Sequence, residues 1–174
     1  MAAAPTGGWS DFRSDLARRT RIPFAHVTFV IYFVASIVLI GGLGLWVELI
    51  NYARSTGPGD LTSVRTAVAT FFPALIGSTC LQVQIGKFQK QARAVSFLSM
   101  LIFAVVGFWL IFDRGLADCT VLAVGTLCSL FSLWFWWVAN ADNVDLYDDE
   151  PPNAATGGED TGRPLGGDLT EFQA

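Results

Sequence analysis

Four stretches of this chain contain no Asp, Glu, Lys or Arg: Ile22–Val47, Thr66–Gly86, Ala94–Phe112 and Cys119–Ala141, of 26, 21, 19 and 23 residues. An α-helix rises ~1.5 Å per residue and a bilayer's hydrocarbon core is ~30 Å thick, so ~20 apolar residues suffice to cross it. All four stretches meet that length. They are continuously apolar rather than alternating, which excludes the strands of a membrane barrel. A helix satisfies its own backbone hydrogen bonds in lipid, so each stretch is expected as a spanning helix. The first is too long for the apolar core of a signal peptide, typically ~7–15 residues, and reads as a retained span.

The expected architecture is an all-α integral membrane protein. Four transmembrane helices, over about 24–47, 66–86, 94–112 and 119–139, form a bundle spanning 22–141. It is preceded by a cytoplasmic amphipathic lead-in (1–21) and followed by a disordered acidic cytoplasmic tail (142–174). In the lead-in, Trp9, Phe12 and Leu16 share one helical face, with the arginines largely elsewhere, the pattern of an interfacial helix on an anionic surface. Pro23 suits the first turn of the first span. The tail holds nine acids against the single base Arg163, is rich in Gly and Pro, and has too little apolar surface to fold.

Basic residues orient the chain. With both termini and the middle loop inside, eight Lys and Arg lie on the cytoplasmic side and three (Arg54, Arg65, Arg114) outside. Trp46 and Trp109 then fall near the outer interface and Trp134, Trp136 and Trp137 near the inner one, where indoles are enriched. The expected location is a plasma or bacterial inner membrane. His26, at the start of span one, reads as an interfacial imidazole, with pH sensing as the alternative.

Within span two, Thr66, Thr70, Pro73, Gly77, Cys80, Gln84 and Lys87 follow alternating steps of four and three. This small and polar stripe is expected to face another helix, or in the alternative a pore. Span four carries a comparable stripe at Gly125, Ser129, Ser132, Trp136 and Ala139. Thr70, Pro73, Gly77, Cys80, Gln84, Gly125, Ser129 and Ser132 are therefore the candidate helix-packing or pore-lining residues. Gly41, Gly42 and Gly44 thin span one for close packing, a hinge being the alternative. Gln82 and Gln84 point to opposite sides of their helix, one toward the bundle and one toward the interface. Cys80, Cys119 and Cys128 read as small packing residues; the last two, nine positions apart and so ~13 Å along one helix, cannot pair.

No charge lies inside a span, which argues against pumps and coupled transporters. No hydrolase, phosphate-loop, dinucleotide or zinc-protease motif is present, and one His offers few conventional metal ligands. No catalytic, cofactor-binding or metal-binding residue is expected, and no nucleic-acid partner. Asp113 and Asp118 could pair across a loop. At the end of span four, Asn140 and Asn143 can cap the last carbonyls. Asp142, unfavourable at a negative helix end, either stops the helix or docks a cation.

Span one closes with Gly44-Leu45-Trp46 and span three with Gly107-Phe108-Trp109, an echo that suggests two tandem helical hairpins. With the Gln/Lys-rich turn Gln82–Gln91, the chain resembles small bacterial inner-membrane proteins built from a duplicated two-helix unit, the YiaA/YiaB type. By topology alone it also resembles the MARVEL layout of membrane-organising proteins and the four-span effectors of bacterial immune systems. These resemblances transfer no residue roles. The expected function is a non-enzymatic structural or interaction subunit, or a membrane organiser. The alternatives are an oligomeric pore-forming or membrane-disrupting effector, and a small transporter. The lipid bilayer is the expected partner, together with further copies of the chain or another membrane-complex component; the residues name no small-molecule ligand.

Overall fold

The computed structural model describes residues 8–55, 61–86, 88–113 and 115–148, and every regular element among them is helical. In order these are α1 (Gly8–Arg21), a 3-10 turn (Ile22–Ala25), α2 (Val27–Tyr32), a π-helical segment (Phe33–Ile40), α3 (Leu43–Arg54), α4 (Thr62–Ile85), α5 (Lys90–Phe112), α6 (Asp118–Asn140) and a last 3-10 turn (Val144–Leu146). The helices α4, α5 and α6 are each long and apolar enough to cross a membrane. A fourth candidate arises only if the bent pair Trp9–Ala25 and Val27–Ile40 is taken as one span.

The first apolar stretch is not the single helix expected over 24–47. Gly41 N–H donates to Ser36 O across five residues, the π spacing, and Gly42 leaves the helix before α3 begins. The glycines are required by close backbone contact. A Cβ on Gly41 would lie 2.5 Å from Ile37 O, and one on Gly42 2.4 Å from Val38 O. The indole Nε1 of Trp46 donates to Val38 O at 2.9 Å, folding back over the break. The glycines therefore interrupt the helix rather than thin it. At the other end of this stretch, α1 meets the segment Val27–Ile40 at 95° and so lies across the end of the bundle.

The expected tandem hairpins do not organise the packing. The helix α4 lies at the centre, packed extensively on α5 and α6 and partly on α3, while α5 and α6 touch little. Two glycines set the closest approaches. A Cβ on Gly125 of α6 would fall 2.3 Å from Val68 Cγ1, and one on Gly107 of α5 would fall 2.7 Å from Pro73 Cγ and 3.1 Å from Ala69 O. Pro73 offers no N–H to the Ala69 carbonyl, yet α4 runs on through it, with Gly107 making room for the ring. Between these contacts lies a core of Ala69, Phe72, Leu110 and Val121.

A second core sits at the α1 end, where Phe29 packs with Trp136, Trp137 and Val138. Trp136 and Trp137 are 4% and 7% exposed, so these indoles pack inside the chain. Phe24, Phe29 and Phe33 stack on or abut these indoles at centroid distances of 4.6–6.1 Å.

Candidate functional site at the elbow between α1 and the bundle

The stripe proposed along α4 is divided by the structure. Its buried face runs through Val64, Val68, Phe72, Ile76, Thr79 and Val83, one helical edge away. Of the stripe, Pro73 meets α5 at Gly107; Cys80 Sγ lies 3.7 Å from Ser96 Oγ of α5. Gln84 Nε2 donates to Arg93 O at 2.9 Å and to Ser96 Oγ at 3.2 Å. Thr66 and Thr70 are exposed, and a Cβ on Gly77 would touch nothing within 4 Å. Within the chain the close glycine contacts are at Gly107 and Gly125 rather than at Gly77. On α6, Gly125, Ser129 and Ser132 are all buried. Ser129 Oγ donates to Gly125 O, and Ser132 Oγ shares its proton between Cys128 O and Phe72 O of α4.

Gln82, expected at the interface if Gln84 faced the bundle, also finds a helix partner, its Oε1 accepting from Asn140 Nδ2 at 3.1 Å. Asn140 Nδ2 donates to Trp136 O as well and caps α6, whereas Asn143 turns the other way and accepts from Asp145 N–H. Asp113 and Asp118 do not pair. Asp118 holds Arg65 at 2.6 Å, while Asp113 accepts from the Trp109 indole. The three cysteines are free, with Cys80 buried and Cys119 exposed.

Thr70 lines a cleft of about 450 Å³ between α4 and the broken first stretch. Its walls are small or apolar: Gly41, Gly44, Ala67, Ala74 and Leu75 among them. The hydroxyls it contains are already bonded to their own helix, Thr70 to Thr66 O and Ser78 to Leu75 O. It makes no polar demand on an occupant.

The chemistry gathers at the elbow instead. Asp142, just past α6, receives Arg18 Nη1 at 2.9 Å and Arg19 Nη2 at 2.5 Å from α1, 124 and 123 positions earlier. The same arginines hold Asp15 at 2.8 and 2.9 Å. Of the two roles open to Asp142, the cation-docking one is thus realised inside the chain. Burial would raise the Asp15 carboxyl, but the hydrogen bonds and charges of Arg18 and Arg19 outweigh it and hold it below its ordinary value. Asp142, then Asp15, raise Arg18 above the usual guanidinium range. Two indoles complete the clasp, Trp134 Nε1 donating to Thr20 Oγ1 and Trp137 Nε1 to Thr20 O.

Residues 142–148, placed by sequence in a disordered tail, form a strap over this elbow. Asp148 accepts from Val27 N–H at 2.5 Å and Thr28 N–H at 3.0 Å and from the Thr28 hydroxyl, so it caps the N-terminus of α2. Those bonds, the Thr28 hydroxyl first, draw the Asp148 carboxyl below its ordinary value. Tyr147 stacks on His26 at 3.8 Å, ring planes 7° apart, and its hydroxyl donates to Ala141 O. His26 is thus part of a ring stack rather than a lone interfacial imidazole. The rest of the acidic tail, 149–174, lies outside the described residues.

Sequence reasoning missed the strap and the second role of Arg18 and Arg19. The only signal was Asp142 at the negative end of α6, where an acid needs a nearby cation. Among the described residues no cluster of His, Cys, Asp and Glu is arranged to hold a metal ion. No protein-family model matches the chain, and neither the curated proteins nor the solved structures provide a match.

Proposed function

We propose that this chain is a non-catalytic, multi-pass membrane protein that works as a structural or interaction subunit. Its four spans are Val27–Arg54, interrupted at Gly41–Gly42, and the helices α4, α5 and α6. Its ends are cytoplasmic, with α1 lying along the inner headgroup layer. The observation that supports this reading is the closed polar inventory of the bundle. Among the described residues, one buried side-chain nitrogen or oxygen lacks a hydrogen-bond partner, and it belongs to Arg19 at the elbow, not to the interior. The interior positions where a water path would run hold Phe72, Ile76, Leu110 and Val121, all fully buried or nearly so. The broad exposed surfaces of α5 (Leu98, Leu101, Ile102, Val105, Phe108) suit lipid or a partner helix.

Purified protein reconstituted into dye-loaded vesicles tests this directly. The expected result is stable insertion with leakage no faster than from empty vesicles; rapid leakage would establish the pore-forming alternative. Orientation is tested by single cysteines in a cysteine-free background. Ser55→Cys should react with an impermeant thiol reagent on intact cells and Gln89→Cys should not; the reverse pattern inverts the topology.

A further inference from the structure

The outward face of α1 is cationic and exposed. Phe12, Asp15, Leu16, Arg19 and Thr20 are partly buried and turn toward the bundle, where Leu16 meets the aromatic core and Thr20 holds the two indoles. At ~100° per residue Arg21 falls diametrically opposite Phe12, with Arg13 and Ala17 on the same side. All three are exposed, and Asp11 stands at the edge of this face. Arg18 is held by Asp15 and Asp142. Arg13 and Arg21 have no ion pair among the described residues.

The chain supplies the opposite charge beside this face. Residues 149–174 carry six acids against the single base Arg163. They leave the described fold at Asp148, which accepts from Val27 N–H at 2.5 Å. Val27 is six positions after Arg21, ~12 Å at a 3-10 rise of ~2 Å per residue. Arg13 lies a further ~12 Å along α1. Four of the six acids come in two pairs, Asp149–Glu150 and Glu159–Asp160, separated by eight uncharged residues. The chain from Asp148 to Glu159 can span up to ~36–40 Å. The second pair can therefore reach Arg13 while the first stays beside Arg21. Anionic lipid is the competing occupant. It has to be recruited to a face turned away from α4, α5 and α6, whereas tethering makes the approach of the tail intramolecular.

We propose that the acidic segment 149–174 of this chain docks on the outward face of α1, its acid pairs beside Arg21 and Arg13. The tail then covers the cations that α1 would otherwise offer to an anionic surface. The test is trypsin cleavage after Arg13 and Arg21, followed by mass spectrometry on protein in neutral detergent micelles, where no bilayer is involved. The full chain is compared with a truncation after Asp148, which keeps every contact of the strap. At ~0.01 M salt, where charges act over ~30 Å, truncation should speed both cleavages about fivefold, the scale of one or two exposed ion pairs. At ~1 M salt, where the range is ~3 Å, the two chains should be cut alike. A full-length variant carrying Asp149→Asn, Glu150→Gln, Glu159→Gln and Asp160→Asn should behave as the truncation does, with circular dichroism as the control for helicity. Equal rates for full and truncated chains at low salt overturn the docking. Protection that survives in the neutral tail overturns the charge pairing. Phosphatidylglycerol added to the micelles should protect the truncated chain less than the tail protects the full one; equal protection would give the face to lipid and overturn the assignment.

Discussion

The helices α4, α5 and α6 and the broken first stretch are all rich in apolar residues and are held in different ways. In the first region glycine brings backbones together: Gly107 admits Pro73 and Gly125 admits Val68. In the second, Gly41 and Gly42 end a helix, and neither the π-helical segment nor α3 has a buried residue. The first stretch is instead fastened at one end, by Phe29 against Trp136 and Trp137 and by Asp148 on the α2 amides. The same residue type thus serves packing where a bulky neighbour stands opposite, and interruption where the neighbour is its own preceding turn. The result is a three-helix unit against which the broken first stretch rests through α3 on α4 and through the aromatic cluster at its other end.

The sharpest way to break this contrast is at the cluster. Phe29 is fully buried, and Phe29→Ala should cost ~3–5 kcal/mol, the range for large aromatic truncations in packed cores. The loss should appear as protease cleavage within the first stretch before the α4–α6 unit unfolds in detergent. Simultaneous loss of both regions would show that they form one cooperative body.

Gly125→Leu should cost ~1–3 kcal/mol by overpacking against Val68. Gly77→Leu, where a Cβ meets open space, should stay within ~0.5 kcal/mol, as for a surface change. Denaturation curves that rank the two glycines the other way would mean α4 packs through its small stripe after all.

Asp142→Asn should loosen α1 by about 1 kcal/mol, since the carboxylate is 43% exposed and water screens much of its attraction. Trypsin cleavage at the α1 arginines should accelerate while α4–α6 stays intact. A double-mutant cycle with Arg18→Gln should be non-additive, because the two share one bond pair.

The smallest effect is that of acid. Asp15 and Asp148 have folded-state values drawn below the ordinary 3.8. Their contribution is complete above that value and is lost as pH falls through the lower folded one. Docking of α1, read from Trp134 and Trp137 fluorescence, should therefore be flat from neutrality to about pH 4 and fall only below it. Loosening well above pH 4 would show that these two carboxylates do not control the docking.

Much of the helical layout was legible in the residues. Helices expected over 66–86, 94–112 and 119–139 are observed as Thr62–Ile85, Lys90–Phe112 and Asp118–Asn140. The amphipathic lead-in is the helix Gly8–Arg21. The ends differ by about one turn at most because Arg65, Lys90 and Arg93 continue the helices past the charge-free runs. Run length, helical rise and local backbone satisfaction are properties of neighbours in the chain, so sequence alone determines them.

The candidate site was not legible in the same way. Nothing near Gly77, Gly107 or Gly125 in the chain says which of them has a side chain opposite; Val68 and Pro73 decide that from another helix. Nothing near Asp142 says that Arg18 and Arg19 will reach it across more than 120 positions, nor that Asp148 will cap α2. Nothing near Trp136 and Trp137 says that Phe24, Phe29 and Phe33 will fold over them. Sequence by itself determined where the three long helices run, because a helix is closed by bonds between near neighbours. The tertiary structure alone decided which faces and charges are used, because those depend on groups brought together from distant parts of the chain.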